Sequence, residues 1–181
     1  MRQFERICIM DKREKQVKER IVKAMIVLSA EKSWDKITIT DIIRESKVAR
    51  ATFYRNFSSI DDLITYGISQ FRKDYWENAP KNCTEFLCSK MLEYTFDYYC
   101  QNRDLILSYH QSGSSNSVLD IITESMVLSF GDMPSNSISR YKLYYYAGAL
   151  YNMTIYWLEN GMKETAKEMA AAFLQFSPQT I

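Results

Sequence analysis

Between Thr38 and Phe57 the chain reads TITDIIRESKVARATFYRNF, and Arg50, Thr52, Tyr54 and Arg55 crowd into one short stretch of it. These side chains suit a nucleic-acid duplex. An arginine can donate to two acceptors of guanine at once, and threonine and tyrosine hydroxyls can donate to phosphates. If the stretch is helical, Phe53 and Phe57 lie one turn apart on a single face. At about 100° per residue, Ala51 and Arg55 then point away from that face, Thr52 and Tyr54 flank it, and Arg50 stands at the helix entrance. Upstream, Thr38 is placed to cap a preceding helix, with Asp41 as its capping-box partner. Ile39, Ile42 and Ile43 give that helix an apolar stripe. Ser46 to Ala49 form the link, and Val48 is the apolar residue that packs under it. The layout is a helix-turn-helix whose second helix is small enough to lie in a major groove. The expected DNA-contacting set is Thr38, Arg50, Ala51, Thr52, Tyr54 and Arg55. On spacing alone, an ordinary helical hairpin with a solvated charged face stays open as the alternative.

Charge is unevenly spread. Residues 1–60 hold 14 Lys/Arg against 8 Asp/Glu, and residues 61–181 hold 9 against 14, so +6 and −5 combine to the net +1. A basic first third concentrates phosphate affinity at one end. The near-neutral total excludes a general nucleic-acid coat protein. Other functions find little support. There is no Ser-His-Asp set and no phosphate loop, and His110 is the single histidine available for acid-base work. No catalytic residue is assigned, so a small helical enzyme is disfavoured, and no cofactor is implied. Cys8, Cys83, Cys88 and Cys100 lack metal-ligand spacing, so no metal is expected and all four read as reduced thiols. No run reaches 18 apolar residues, and Ile7 to Met10 is too short for a signal-peptide core. The expectation is a cytoplasmic protein with no membrane partner.

The elements that must position these residues are helices. Five Gly and three Pro are few for 181 residues, and no segment reads as a strand. Residues 1–11 read as a loose tail, and a first helix is expected over 12–32 with Val17, Ile21, Met25 and Leu28 buried. The two motif helices follow, then a fourth helix from Ser58 or Ser59 toward Pro80. A fifth helix is expected from Thr84 and a short one over 104–111. Others span 118–130, 139–160 and 163–176, with loops at 112–117 and 131–136. Asn160-Gly161 suits a left-handed helix cap. The fold class is therefore all-α: an N-terminal three-helix helix-turn-helix domain over 1–58 and a larger helical bundle over 59–181.

The block around the motif resembles the DNA-binding domain of the TetR/AcrR family of bacterial regulators. The resemblance rests on Trp34, Thr38, Ile42, Val48, Thr52-Phe53-Tyr54, Phe57 and Leu63, and covers about residues 14–75. Three positions depart from the family pattern. Lys47 stands where the turn usually has Gly, Ala49 where a capping Ser is usual, and Ile60 where a phosphate-contacting Lys is common. Lys47 must then bear φ > 0 without glycine's freedom or bend differently. Near the C-terminus, Tyr146-Ala147-Gly148 and Trp157 to Met162 resemble the regulatory domain of a branch common in low-GC Gram-positive bacteria (Firmicutes).

That resemblance implies a homodimer, built by pairing the last two long helices with their copies. Residue chemistry agrees. Gly148 and Ala149 permit close helix approach, and Met153 and Trp157 belong to a wide apolar face. The expected interface is Gly148, Ala149, Met153 and Trp157. The resemblance further implies a repressor on a palindromic DNA operator, released by a small-molecule effector bound in the larger domain. Thirteen Tyr and nine Met, most of them after residue 75, suggest a lined cavity there. Tyr94, Tyr98, His110, Tyr145 and Met153 are its candidate residues. A helical protein-interaction module, or a regulator controlled by a partner protein, remains the alternative.

Overall fold

The computed structural model describes residues 2–83, 87–111 and 118–177, with side chains described from Arg13 onward. Helices α1 (Arg2–Glu31), α2 (Ile39–Ser46), α3 (Arg50–Asn56) and α4 (Ile60–Asn78) come first, with a 3-10 turn at Trp34–Lys36. Helices α5 (Ser89–Gln101), α6 (Arg103–Gln111), α7 (Val118–Phe130), α8 (Ile138–Glu159) and α9 (Ala166–Phe176) follow. The fold is all-α, and there is no strand among the described residues. The chain forms two compact units, residues 1–71 and 72–181, and α4 contributes residues to both.

In the first unit, Ile21, Ala24, Met25 and Leu28 make the buried stripe of α1, and Val17 is only half-buried. They pack chiefly on α2. Helix α1 begins at Arg2, not after a loose tail over 1–11. Residues 2–11 hold no Gly or Pro and are rich in Arg, Glu, Gln and Met, so nothing local stops the helix. Ile42, Phe53 and Leu63 of the other three helices are buried with them, as is Phe57 just past the end of α3. Each such side chain contributes about 1.5–3 kcal/mol by leaving water.

In the second unit, α5 packs mainly on α9 and α7 on α8. The fully buried Phe96 meets Trp157 edge-on at 5.9 Å and Phe173 at 6.5 Å. Helix α8 is capped by the Ser137 hydroxyl, and α9 by a capping box of Thr165 and Glu168. Gly161, at φ +86°, takes the left-handed position after α8, and the Met162 N–H donates to the Trp157 carbonyl at 3.0 Å. That is the expected Asn160-Gly161 cap.

Two expectations about the α4–α5 link change. Helix α5 starts at Ser89, and Leu87 lies in a turn before it. Thr84 to Phe86 lie outside the described residues, as do the loop 112–117 and Pro178. Cys83 and Cys88 were expected as reduced thiols. They are joined as a disulfide, because the link returns their Cα atoms to 5.9 Å, within bridging range. Cys100 is free, its thiol 3.5 Å from the Met162 sulfur.

Candidate nucleic-acid interface

Thr38 and Asp41 form the start of α2. The Thr38 hydroxyl accepts from the Asp41 N–H at 3.2 Å and donates to Asp41 Oδ2 at 2.6 Å. The same carboxylate oxygen accepts from the Thr38 N–H at 2.9 Å, completing the capping box. Lys32, at the end of α1, donates to it at 2.6 Å, and Arg44 donates to Oδ1 at 3.1 Å. The Lys32 ammonium foremost, then the Thr38 hydroxyl and amide, hold the Asp41 carboxyl well below the usual carboxylate range. One carboxylate thus ties α1 to the N-terminus of α2. The spacing of Lys32 and Asp41 in sequence gave no sign of this pair. It exists only because the Trp34–Lys36 turn folds the link back.

The turn to α3 runs through Lys47, at φ 54° and ψ 37°. A left-handed residue with a Cβ costs roughly 1–2 kcal/mol. The Lys47 carbonyl accepts a long bond, 3.5 Å, from Arg20 of α1. Ala49 then opens α3 with no side-chain cap. Two of the three departures noted in the sequence therefore have a structural form: an L-residue carries the glycine conformation, and α3 starts uncapped.

Phe53 fixes the phase of α3. It is fully buried, 6.1 Å from the Phe57 ring, and Phe57 meets Tyr66 of α4 at 5.5 Å. With that face anchored, Arg50, Ala51, Tyr54 and Arg55 are exposed, and Thr52 is half-buried on the flank. Arg50 donates to the Tyr54 hydroxyl at 3.3 Å and lies over its ring at 5.4 Å. Arg55 reaches the Thr52 hydroxyl at 3.5 Å. These loose, solvent-facing contacts hold two guanidinium groups over one short surface. Thr38 is also exposed, but its hydroxyl proton already goes to Asp41. Arg44 and Lys47 are further exposed cations on the motif that the expected set omitted.

The five candidate ligand residues fall in four places. Tyr94 and Tyr98 stack at 5.9 Å beside Tyr75. Tyr94 donates to the Tyr75 carbonyl at 2.8 Å, and Tyr98 to Asp74 at 2.9 Å. Burial first, then the Asp74 carboxylate, raises the Tyr98 hydroxyl far above its ordinary value; burial pushes Tyr75 to about 12. His110 bonds the Tyr151 hydroxyl through Nδ1 at 2.8 Å, with Glu159 3.9 Å from Nε2. Tyr145 is exposed on α8. Met153 lines a cleft of about 380 Å³ between α8 and α9, with Tyr156, Trp157, Met169 and Phe176. Of the five, Met153 alone lines that cleft.

Of the four expected interface residues, Gly148 and Ala149 are half-exposed on α8. Trp157 is 4 % exposed, and its indole N–H donates to the Glu164 carbonyl at 3.1 Å, so most of its surface serves its own subunit. Among the described residues, no three His, Cys, Asp or Glu gather where they could hold a metal ion, and no helix is long and apolar enough to cross a membrane.

Comparison with known proteins agrees with this geometry. Residues 21–66 match the sequence profile of bacterial regulatory proteins of the tetR family. Residues 88–179 match a transcriptional regulator C-terminal region, TetR_C_8. An uncharacterized HTH-type transcriptional regulator of Bacillus subtilis, YvdT, is 32% identical over 72 residues. That match takes in 32% of this chain and 37% of YvdT. Among solved structures, a TetR transcriptional regulator from Streptococcus agalactiae is similar with a TM-score of 0.70 and 18% identity, covering 93% of this chain and 97% of that one. The regulator FadR of Bacillus subtilis, solved with stearoyl-CoA, is similar with a TM-score of 0.62 and 17% identity, covering 87% and 95%.

Proposed function

The chain belongs to the TetR family of bacterial transcriptional regulators, and on that premise we propose that it is a homodimeric, ligand-responsive repressor of a palindromic operator. It is a regulator with a DNA-binding helix-turn-helix, not an enzyme. The observation that carries the finer reading is the outward face of α3. The buried Phe53 sets its phase, and Arg50, Tyr54 and Arg55 turn to solvent together. In this reading Arg50 and Arg55 read base edges, Thr52 and Tyr54 position on phosphates, and Ala51 leaves room for close approach. Thr38 acts through the cap it shares with Asp41. Residues 1–58 serve as the DNA-binding domain and 59–181 as the effector and dimer domain, in the cytoplasm.

A two-fold operator calls for a two-fold protein, and the exposed face of α8 supplies a surface for one. FadR, solved with stearoyl-CoA, supports a small-molecule effector for this chain too. Release then follows by linkage. An effector frees DNA only by preferring the conformation that fits the operator badly, and about 100-fold preference corresponds to about 2.7 kcal/mol. The test is retention on heparin across a salt gradient. The parent should elute late and salt-dependently, and the double variant Arg50→Ala/Arg55→Ala much earlier. Equal elution of the two would remove α3 from the proposed contact.

A further inference from the structure

The link between α4 and α5 carries two sulfurs that neither the DNA contact nor the effector reading uses. Cys83 and Cys88 are joined across a sequence separation of 5, and both residues keep part of their surface in solvent. A short loop gains least from being closed, so this bridge adds little as a structural staple. Other bonds hold the surrounding structure. Tyr94 of α5 donates to the Tyr75 carbonyl at 2.8 Å, Tyr98 to Asp74 at 2.9 Å, and the Tyr75 and Thr95 hydroxyls meet at 2.7 Å. Within the link, Lys81 donates to the Trp76 carbonyl at 2.8 Å. None of these four bonds runs through either sulfur, so the end of α4 stays fastened to α5 when the bridge opens.

The two sulfurs are not equivalent. Cys88 is the N-cap residue of α5, a helix of 13 residues, and its side chain makes no capping hydrogen bond. The first turn of α5 holds no carboxylate, and Lys90 there is exposed. A thiolate released at Cys88 therefore meets the free amides and the positive end of the helix dipole, the setting in which cysteines react. Cys83 lies in the link, at no helix end. Among the described residues no third ligand joins the two sulfurs to hold a metal ion. In the cytoplasm proposed above, small thiols keep cysteines reduced, and a bridge formed there is transient, catalytic or sensing.

We propose that Cys83 and Cys88 form a reversible dithiol–disulfide site that exchanges with small organic disulfides, with Cys88 as the entering thiol and Cys83 as the resolving one. The Cys88 thiolate attacks one sulfur of the small disulfide, forms an S–S bond to it and expels the other half as a thiolate. The Cys83 thiolate then attacks Cys88 Sγ, closes the bridge and expels the second half. The protein gives up two electrons and two protons, and the small disulfide leaves as two thiols. Excess small thiol runs the same two steps backwards. The chemistry needs no DNA, so it stands or falls separately from the contact assigned to α3.

The test uses the full-length parent, equilibrated with mixtures of reduced and oxidised glutathione. Free thiols are alkylated, and peptide mass mapping assigns them to positions, with circular dichroism alongside. The expected result is that Cys83 and Cys88 are both alkylated in excess reduced glutathione and both protected in excess oxidised glutathione. The same end points should be reached from either starting state, with helix content unchanged. A bridge that opens only in denaturant, or two thiols that never join in the folded protein, would overturn the proposal. Single variants read the order of attack. Cys83→Ser should stop at a stable mixed disulfide on Cys88, formed about threefold faster than the one on Cys83 in Cys88→Ser. That figure is roughly a tenfold gain in thiolate less the nucleophilicity lost with it. Equal rates, or the reverse order, would overturn the assignment of Cys88 as the entering thiol.

Discussion

Helix α3 is seven residues long, is anchored by Phe53, and turns Arg50, Tyr54 and Arg55 outward. Helix α8 is 22 residues long, is anchored by Ala147, Leu150 and Leu158, and turns Tyr141, Tyr145 and Tyr156 outward. Both are amphipathic in the sense of having a committed inner face. Their outer faces differ in charge. The first suits a polyanion, where each phosphate neutralised releases counterions. The second has no charge for sixteen residues, Leu143 through Leu158, which suits a copy of itself that would carry the same sign. An outer face therefore reports its partner only after the inner face has fixed the helix phase.

The comparison breaks most severely if an anchor is removed. Phe53→Ala should cost about 3–5 kcal/mol and unfold the DNA-binding unit at moderate temperature. Trp157→Glu should act as strongly on the other unit, since it places a carboxylate against Phe96 in the core. Chemical denaturation followed by circular dichroism measures both, and either variant retaining parental stability would mean that its ring is not the anchor.

Smaller effects should come from the reading face. Arg55→Ala should lose about 1–3 kcal/mol of operator binding with unchanged stability. Tyr54→Phe should weaken all sequences alike. Anisotropy titrations on specific and scrambled duplexes separate the two.

Smaller still are repairs to the turn. Ala49→Ser should add an N-cap worth about 1 kcal/mol. Lys47→Gly should relieve a left-handed residue at a similar scale, offset by glycine's greater unfolded-state entropy. A thermal melt should show a rise of a few degrees for Ala49→Ser. No rise would mean that the added hydroxyl does not reach the free amides of α3.

The smallest effect is pH-dependent. The Asp41 carboxyl sits below its ordinary value in the folded state. Its contribution is therefore complete above the unfolded carboxylate value, near 4, and is lost as pH falls through the folded one. The stability gap between the parent and Asp41→Asn should be constant above pH ~5 and narrow below pH ~4. A gap that widens in acid would contradict the Lys32–Asp41–Thr38 link.

Much of this was legible in the chain. The spacing of Ile39, Ile42, Phe53 and Phe57 sufficed to phase α2 and α3, because a short helix with two anchors has one way to lie on a core. Thr38-Asp41 and Asn160-Gly161 marked helix ends through local hydrogen bonds that need no tertiary context. Other features were not legible. The helical start at Arg2 is not legible because the residues before it offer no capping side chain to mark a helix end, and the apolar run Ile7 to Met10 is too short to set a period. The Cys83–Cys88 bridge depends on how the α4–α5 link returns, which spacing alone does not fix. Trp157 read as an interface residue because it shares an apolar face with Leu150 and Leu158, and only packing against Phe96 shows that this side of the helix is covered within its own subunit. The five ligand candidates were chosen by residue type, and tyrosines serve equally in an aromatic cluster, a histidine pair and an exposed stripe.

Selection of bound duplexes from a random DNA pool tests the central claim most directly. The account predicts a palindrome whose half-sites lie about one or a whole number of helical turns apart. It also predicts that repeating the selection with Arg55→Ala relaxes one symmetry-related pair of positions and leaves the others fixed. An unsymmetrical site, or an unchanged motif from the variant, would contradict it.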